Sequence, residues 1–487
     1  MNRHLIRGAQ SVLVLAVLGG IDGCMVGPDY QRPIPATSTP FNGVKALVAR
    51  AAAPASLTPD TWWEGFDDPV LNSLVQTALR QNLTLEQAMA RGTQAAAYVQ
   101  HADAQLLPSG QASASASRAR QSLEDPVVAA EQASLPGFDR TASLYGAGVS
   151  SAWELDLSGG LRRTAHAAVA EYQAAQADVA AARLQVTANT VDSYLLVRLL
   201  QARLNVAHDQ VKTQADIARL VALLRSRGLA PDQDAQQASA ELALTRASVP
   251  TLESRLTAAR NGLDVLLGRT PGTVDPTLDS ASPIPRAPSI EAAGGSAALL
   301  RRRPDLIVAE RRLAASNERI GQALAEYYPK VSLSALIGST TTHGGNLFDG
   351  ASNEALGTLG IRWRLFDFGR VDAQVKAAKG DYAMKLAHYR ESVLQATAEV
   401  ENSISALVTG ETRTQLLTEG EHTRTRARDL VLASYQNGNS SYIDLLETQS
   451  RLEVMQAQRL DATYASSSSA VALYKALGGG WSEQNIY

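Results

Sequence analysis

The chain has 487 residues, of which 45% are hydrophobic and only 5% aromatic, and its net charge at pH 7 is -3. This length allows two or three ordinary domains or one elongated architecture, and apolar content that is mostly Ala, Leu and Val favours closely packed helices. The nearly balanced charge gives no reason to expect a nucleic acid partner. The single cysteine, Cys24, excludes an internal disulfide and a metal site built from several cysteines.

Residues 1–23 have the layout of a secretory signal peptide. Arg3 and Arg7 give a basic start, an apolar run covers residues 11–18, and small residues follow before Cys24. The apolar run is too short for a permanent transmembrane helix, which needs about 20 residues. The sequence therefore predicts export from the cytoplasm and removal of this segment.

A cysteine directly after the cleavage point predicts a lipobox, in which Cys24 receives diacylglycerol and an N-acyl chain. Asp22 departs from the usual small residue at its position, so an ordinary signal peptide with an incidental cysteine is the alternative. Met25 stands where retention in the inner membrane uses Asp, which indicates the outer membrane. Several acyl chains on one cysteine hold a protein firmly on a bilayer. No other cofactor is expected.

The chain contains a tandem duplication. A shift of 210 residues aligns Trp153 with Trp363, Gly159 with Gly369, Gly228 with Gly438, Asp234 with Asp444, and Leu267 with Leu477. Upstream the shift is 221 and aligns Pro108 with Pro329, so the first copy carries about 11 extra residues between its Pro and its Trp. Repeats of this length are not solenoid units.

Each copy predicts the same order of elements. These are a medium helix (69–107 and 297–328), an extended region (109–157 and 331–368), a very long helix (161–227 and 371–437) and a final helix (232–267 and 443–477). The predicted domains are an arm at 24–68, repeats at 69–268 and 297–478, a Pro-rich equatorial linker at 269–296 and a tail at 479–487.

The long helices carry apolar residues at alternating spacings of three and four, which indicates coiled-coil packing. The predicted seams are Ala165, Ala168, Tyr172, Ala175, Val179, Ala182 and Val186, and then Ala235, Ala238, Leu242, Thr245, Val249, Leu252, Leu256, Ala259, Leu263 and Leu266. A helix covering 161–227 extends roughly 100 Å, which is longer than a compact domain of this size is wide.

The extended regions alternate with period two. The apolar set is Ala147, Val149, Trp153, Leu155 and Leu157 in the first copy, and Val331, Leu333, Ala335, Ile337, Leu359, Ile361, Trp363 and Leu365 in the second. Small or polar residues separate them. This pattern is typical of a membrane β-barrel with lipid outside and water inside, and a two-sided soluble sheet is the alternative.

One chain offers about four such strands, whereas the smallest membrane barrels have eight. An open edge cannot lie in lipid, because each unpaired backbone group costs several kcal/mol there. Three chains give twelve strands and an open lumen. The predicted fold is therefore mainly α with a membrane β-barrel, in which a homotrimer completes a 12-stranded β-barrel and an α-barrel of long helices.

Several motifs carry a family resemblance. They are the segment from Cys24 to Tyr30, Trp62-Trp63, Pro304-Asp305, the segment from Trp363 to Gly369, and Asn437-Gly438 followed by Tyr442, Asp444 and Leu446. With them the sequence resembles the outer-membrane factor (TolC-like) family of tripartite efflux systems, in the lipoprotein branch with OprM and NodT. The resemblance implies a trimeric duct that works with a periplasmic adaptor and an inner-membrane RND-type pump.

The same resemblance implies roles at the far ends of the long helices. Asp444 and Glu447 match carboxylates that ring a periplasmic aperture, and Tyr435 matches a gating aromatic. The adaptor would contact the two turns through Gly228, Leu229, Gly438, Ser440 and Ser441. Purely structural roles would also explain these residues, because Gly is common at helix ends and Ser441 with Asp444 makes a capping box. Ser440 stands where the TolC type has Arg, so a latch salt bridge is not assumed, and Arg424, Arg426 and Arg428 are expected on a solvated helix face.

The sequence holds no phosphate-binding Gly-Lys motif, no nucleophile elbow and no His pair at metal-ligating spacing, so an enzyme is not expected. The predicted function is a passive outer-membrane duct for drugs or other small molecules. The alternatives are the outer-membrane duct of a type I protein-secretion system and a structural periplasmic coiled-coil lipoprotein without a pore.

Overall fold

The computed structural model describes residues 25–33, 41–43, 45–47, 59–273, 276–288 and 302–481. The predicted signal peptide and Cys24 lie outside the described residues, as do parts of the arm, the linker and the tail. The chain divides into two compact units. We call them the sheet unit (Met1–Pro33, Thr93–Gln173 and Glu310–Ala387) and the helical unit (Ile34–Gly92, Ala174–Ala309 and His388–Tyr487).

The helices confirm the predicted order of elements. Those of the first copy are α1 (Pro69–Gln81), α2 (Leu83–Ala104), α3 (Pro126–Ser134), α4 (Gly160–Ser226) and α5 (Asp232–Leu266). Those of the second copy are α6 (Pro304–Ala325), α7 (Arg370–Gln436) and α8 (Tyr442–Ala476). The long helices α4 and α7 have 67 residues each, and the final helices α5 and α8 have 35 each.

The prediction of one continuous helix over 69–107 is wrong, because the chain breaks at Asn82. This residue has extended backbone angles, and its side-chain oxygen accepts hydrogen bonds from the backbone of Thr84 at 2.9 Å and of Leu85 at 3.1 Å. Its side-chain nitrogen donates to the Leu266 carbonyl at 2.8 Å. Asn82 therefore caps α2 and ties it to the end of α5.

Four strands form an antiparallel meander in the sheet unit. They are β1 (Ser109–Arg120), β2 (Thr141–Leu155), β3 (Lys330–Thr341) and β4 (Asn353–Arg362), in that spatial order. The prediction that 109–157 is wholly extended is wrong at α3. Asp125 caps that helix by accepting from Val127 N at 2.9 Å, and Pro126 occupies its first turn. The extra residues of the first copy lie in this connection.

The strand register confirms the predicted alternation within the strands, whereas Leu157, Trp363 and Leu365 of the predicted set lie beyond the strand ends. Apolar residues are paired across neighbouring strands: Ala112 with Val149, Val149 with Ile337, Trp153 with Leu333, Leu333 with Leu359, and Val331 with Ile361. Val149, Ile337, Leu359 and Ile361 are exposed in the single chain. The sheet therefore presents an apolar face that no other element covers among the residues the structure describes.

The duplication is visible in individual hydrogen bonds. Trp153 Nε1 donates to the Leu106 carbonyl at 2.9 Å, and Trp363 Nε1 donates to the Tyr327 carbonyl at the same distance. Each bond joins the base of one hairpin to the residues that directly follow the preceding helix. The two copies therefore share backbone placement at this point as well as sequence.

The predicted seam of α5 is confirmed, since all of its residues are buried or half-buried. The residues predicted as the seam of α4 are likewise all buried or half-buried, but the fully buried residues of this helix follow a different phase. Of the predicted set only Ala165 and Val186 are buried, whereas the buried seam includes Ala167, Ala170, Ala174, Ala177 and Leu184. In the sheet unit Ala170 packs against Ala314 and Ala315, and in the helical unit Ala174 and Ala177 pack against Val308.

Of the helices in the described part of the chain, none has the length and the apolar content that crossing a bilayer requires.

Candidate functional site at the ends of the long helices

Two equivalent turns end the long helices in the helical unit. Gly228 and Gly438 both have φ of 74°, and a side chain at either position would meet no other atom within 4 Å. Leu229 N donates to the Leu224 carbonyl at 2.8 Å, and Asn439 N donates to the Ser434 carbonyl at 2.9 Å. The backbone angle, and not crowding, is therefore what requires glycine at both turns.

The second turn carries the predicted capping box. Ser441 N and Oγ donate to Asp444 Oδ2 at 3.0 and 2.7 Å, and Asp444 N donates to Ser441 Oγ at 3.2 Å. The first turn has no equivalent, since Pro231 precedes α5 without a side-chain cap. These hydrogen bonds, first from the Ser441 hydroxyl and then from its backbone, lower the pKa of Asp444 below its usual value. Ser440 Oγ donates to the Val431 carbonyl at 3.3 Å.

The capping box predicts a pH-dependent effect of Ser441→Ala. A carboxylate whose pKa is lowered by folding contributes stability at neutral pH, and that contribution disappears as the pH falls through its folded value. The melting temperature of Ser441→Ala should therefore lie below that of the wild type at pH 7, and the difference should shrink below about pH 4. Ser440→Ala is the matched control, because its hydroxyl does not contact Asp444. A difference that is constant with pH would contradict this account.

A tyrosine pair flanks the second turn. Tyr435 at the end of α7 and Tyr442 at the start of α8 are 7% and 2% exposed, and their ring centroids are 6.1 Å apart. They share a buried cluster with Ile217 and Val221 of α4, Ala238 of α5 and Leu445 of α8. Four helices therefore contribute to one buried apolar cluster, which we call the plug. The predicted gating residue Tyr435 is a member of it.

The two hydroxyls in this plug are in an unusual environment. Burial first and then the nearby charge of Glu241 raise the pKa of Tyr442 to about 12, while burial and then Asp234 raise that of Tyr435. Tyr435 Oη is buried and makes no hydrogen bond in the described part of the chain. The rings therefore act by packing. Sequence reasoning noted Tyr442 in the family motif but did not identify it as the partner of Tyr435.

The charged side chains near the plug form ion pairs and hydrogen bonds with neighbouring side chains. Glu447 forms an ion pair with Arg451 one turn along α8. The expectation that Arg428 lies on a solvated face is wrong, because its side chain is only 18% exposed. Arg428 Nη1 donates to Gln449 Oε1 at 3.1 Å and its Nε pairs with Asp429 at 2.7 Å. Arg428 therefore links α7 to α8 near the tip.

A second site, which sequence reasoning missed, holds the segment that follows Cys24 in the sheet unit. Arg163 of α4 is 1% exposed. Its guanidinium pairs with Glu318 at 2.9 Å and with Asp29 at 3.0 Å, and it donates to the carbonyls of Val26 and Gly27, each at 3.1 Å. One buried cation therefore fixes residues 26–29 against α4 and α6.

Further contacts hold the same segment. Val26 N donates to the Ser158 carbonyl at 3.1 Å, and Tyr30 Oη donates to Glu310 at 2.6 Å. A Cβ at Gly159 would lie 2.4 Å from the Met25 side chain, so only glycine allows this approach. The chain is thus held from Met25 to Tyr30 beside the end of β2.

Within the described ranges, no three His, Cys, Asp or Glu side chains are grouped so that they could hold a metal ion. The tip and the Arg163 network therefore consist of packing, caps and ion pairs.

Comparison with known proteins agrees with the motif resemblance. A family model described as outer membrane efflux protein matches residues 74–269 and 296–479. The chain is 31% identical over 432 residues to the pyoverdine export outer membrane protein OpmQ of Pseudomonas putida, covering 88% of this chain and 90% of that protein. It is 29% identical over 488 residues to nodulation protein T of Rhizobium leguminosarum bv. viciae, covering 99% and 95%.

A solved structure of the outer-membrane channel OprN superposes with a TM-score of 0.83 at 32% identity, covering 94% of this chain and 100% of that one. The resemblance inferred from the motifs is thus confirmed over nearly the whole length. The chain belongs to the outer membrane efflux protein family.

Proposed function

We propose that three copies of this chain form the outer-membrane duct of a tripartite efflux system. The four-stranded meander with an exposed apolar face carries the proposal. Among the described strands, the outer ones, β1 and β4, each have one neighbour, and lipid does not tolerate such unpaired edges. Three chains close twelve strands, and the long helices of the same chains extend the duct into the periplasm.

Small molecules are the cargo that the comparisons favour, since one relative is named for pyoverdine export. The sequence holds no phosphate-binding Gly-Lys motif that would let this chain use a nucleotide. An inner-membrane RND-type pump and a periplasmic adaptor are its proposed partners. The exposed turn residues, among them Leu229, are the proposed adaptor contacts. Cys24 is proposed to carry the lipid anchor. The Arg163 network supports this, because it holds residues 26–29 beside the sheet and would keep a lipid on Cys24 close to the barrel.

The pore is tested by conductance of the purified protein in planar bilayers. Steady single-channel currents are expected, and their absence would favour the structural lipoprotein. Deletion of the chain should raise susceptibility to several small toxic compounds while leaving secreted proteins in the medium. Loss of a secreted protein with unchanged susceptibility would instead indicate the type I secretion duct.

The aperture assignment predicts cation selectivity. Three copies each of Asp444 and Glu447 around a narrow opening would focus a negative potential there. In Asp444→Asn with Glu447→Gln the side chains keep their hydrogen-bonding oxygens and lose their charge, so the capping box is retained. The reversal potential under a KCl gradient should move toward zero by at least half. Asp209→Asn removes an exposed charge on α4 and is the matched control. Equal shifts of the reversal potential in the double variant and in this control would contradict the assignment of Asp444 and Glu447 to the aperture.

A further inference from the structure

The strand register assigns each strand residue to one of the two faces of the sheet. Residues of the two faces alternate along every strand, and cross-strand partners share a face. Among the residues of β1 to β4, all of which the structure describes, the only charged ones on the apolar face are Arg118 and Arg120. The opposite face carries charges of both signs, at Glu154, Lys330, Glu354 and Arg362. The apolar face therefore has charge of one sign, at one end of one strand.

The two arginines lie at the end of the sheet that is remote from the helices. α2 ends just before β1 begins, and α4 begins just after β2 ends, so these helices leave the sheet at its other end. Arg118 pairs with Ser143 and Arg120 with Thr141, next to the connection that contains α3. In the proposed barrel this end faces the cell surface.

Aromatic residues mark the limits of the apolar band. Trp153 and Tyr145 both lie on the apolar face of β2, roughly 26 Å apart along the strand. Membrane barrels have an apolar band about 25 Å tall between two aromatic girdles. Tyr145, whose ring lies against Gly344, is the last large apolar residue before the pair of Ser143 with Arg118. The arginines therefore lie at the level of the lipid headgroups, where a charge on the lipid side is tolerated.

The charges of the two arginines are not neutralised within the described part of the chain. Both side chains are exposed, and neither makes a hydrogen bond or an ion pair there. The connection beyond them contains carboxylates, but Asp125 accepts from Val127 N at 2.9 Å and Asp139 accepts from Thr141 N at 2.8 Å. The other two, Glu124 and Glu131, form no ion pair with the arginines. Both guanidinium groups can therefore receive an anion from outside.

The chemistry of this place fits a phosphorylated lipid. A guanidinium binds phosphate oxygens through two parallel hydrogen bonds. Residues two apart on one face of a strand are about 7 Å apart, so two such groups can bind two phosphates of one headgroup or of neighbouring headgroups. Directly below them the apolar face offers small side chains, Ala114 and Ala116, to acyl chains. A soluble anion would use the arginines alone, whereas a lipid uses the arginines and the apolar face together.

We propose that Arg118 and Arg120 bind the phosphate groups of an anionic lipid in the outer leaflet of the outer membrane, at one site per chain. The acyl chains of this lipid lie against the apolar face below, beside Tyr145. The site rests on the proposed barrel, which sets this face in lipid, and it adds the chemical class of lipid that the barrel selects at the cell surface.

Native mass spectrometry of the purified trimer in detergent, titrated with diphosphorylated lipid A, tests the site. The wild type should bind up to three molecules, one per chain. Arg118→Gln with Arg120→Gln should weaken binding at least tenfold, because each arginine at an anionic lipid surface contributes about fivefold. Arg362→Gln is the matched control, since it removes an exposed arginine from the opposite face of the same sheet. Its affinity for lipid A should equal that of the wild type.

Further arms identify what the arginines recognise. Monophosphoryl lipid A should bind the wild type more weakly than the diphosphorylated form. Millimolar inorganic phosphate should leave lipid A bound, and its complete displacement would show a site for free anions and overturn the lipid assignment. Arg118→Lys with Arg120→Lys keeps the charge but loses the paired hydrogen bonds, so its affinity should lie between those of the wild type and the glutamine variant. If the glutamine double variant does not assemble, each single glutamine variant should show a loss of about fivefold.

The inference and the proposed function can fail separately. Conductance and trimer content are measured on the same preparations. A conducting trimer whose glutamine variants bind lipid A as the wild type does, or whose Arg362→Gln variant loses as much affinity, would overturn the lipid site alone. A wild-type protein that neither forms trimers nor conducts would overturn the proposed duct and, with it, the lipid site.

Discussion

Arg163→Met is expected to lower the free energy of unfolding of the sheet unit by about 3–5 kcal/mol, the usual effect of breaking a buried ion pair from one side. The side chain of Glu318 is only 11% exposed and would lose its cation. The carbonyls of Val26 and Gly27 would lose their donor at the same time. The measurement is denaturant unfolding followed by tryptophan fluorescence, together with the fraction of protein that migrates as trimer.

Two comparisons separate this effect from a general loss of charge. Arg162→Met removes a neighbouring arginine that is 32% exposed and pairs with Asp156, and it should cost far less. Arg163→Met combined with Glu318→Leu should recover most of the stability, since an apolar pair leaves no buried charge behind. Equal losses from Arg162→Met and Arg163→Met would show that the network does not hold the segment after Cys24.

Tyr435→Ala is expected to open the channel tip. The ring belongs to a buried cluster to which α4, α5, α7 and α8 all contribute, and truncating a buried aromatic costs about 3–5 kcal/mol. With less apolar contact between the two hairpins, open states should become populated. Single-channel conductance should rise several-fold, and cells should become sensitive to large antibiotics that the intact outer membrane excludes.

Tyr435→Phe is the control for this effect. It keeps the ring and its packing against Tyr442, and it removes a buried hydroxyl that has no hydrogen-bond partner in the described part of the chain. Its conductance should equal that of the wild type. Leu430→Ala truncates an exposed side chain on the same helix and should also have no effect. A closed channel in Tyr435→Ala would show that the cluster does not determine the state of the tip.

The long helices were predictable because both of their ends carry local signals. Gly228 and Gly438 end α4 and α7, and Ser441 with Asp444 starts α8, all within four residues of the boundary. The strands were predictable from their period of two. The break at Asn82 was not, because one Asn in an otherwise helical pattern has only a small effect on helix propensity.

The seam of α4 shows why periodicity fails in an alanine-rich helix. Ala165, Ala167, Ala168 and Ala170 lie on different sides of the helix, so several three-four patterns are equally apolar and the choice between them is made by packing. In α5 polar residues cover the other faces, and one pattern remains. The phase of a seam therefore requires contrast around the helix as well as spacing along it.

The two candidate sites also differ in how far their contacts could be predicted from the local sequence. The bonds between Ser441 and Asp444 join residues three apart, and they follow from the sequence. The side-chain partners of Arg163 lie 134 to 155 residues away along the chain, and no local sequence pattern predicts such pairs. The aperture roles of Asp444, Glu447 and Tyr435, the adaptor contacts at the turns and the lipid on Cys24 stay predictions.

The two hairpins of the sheet differ in length, since α3 lies in the connection between β1 and β2 and only short turns join β3 to β4. In a ring of three chains, the long connection between β1 and β2 and the short connection between β3 and β4 would then alternate around the cell-surface end of the barrel. Gly137, just after α3, has φ of 84° and open space around it. A peptide epitope inserted there would be displayed at three points 120° apart. Labelled antibodies to the epitope could then be used to count single ducts on living bacteria, and the insertion would leave the strands unchanged.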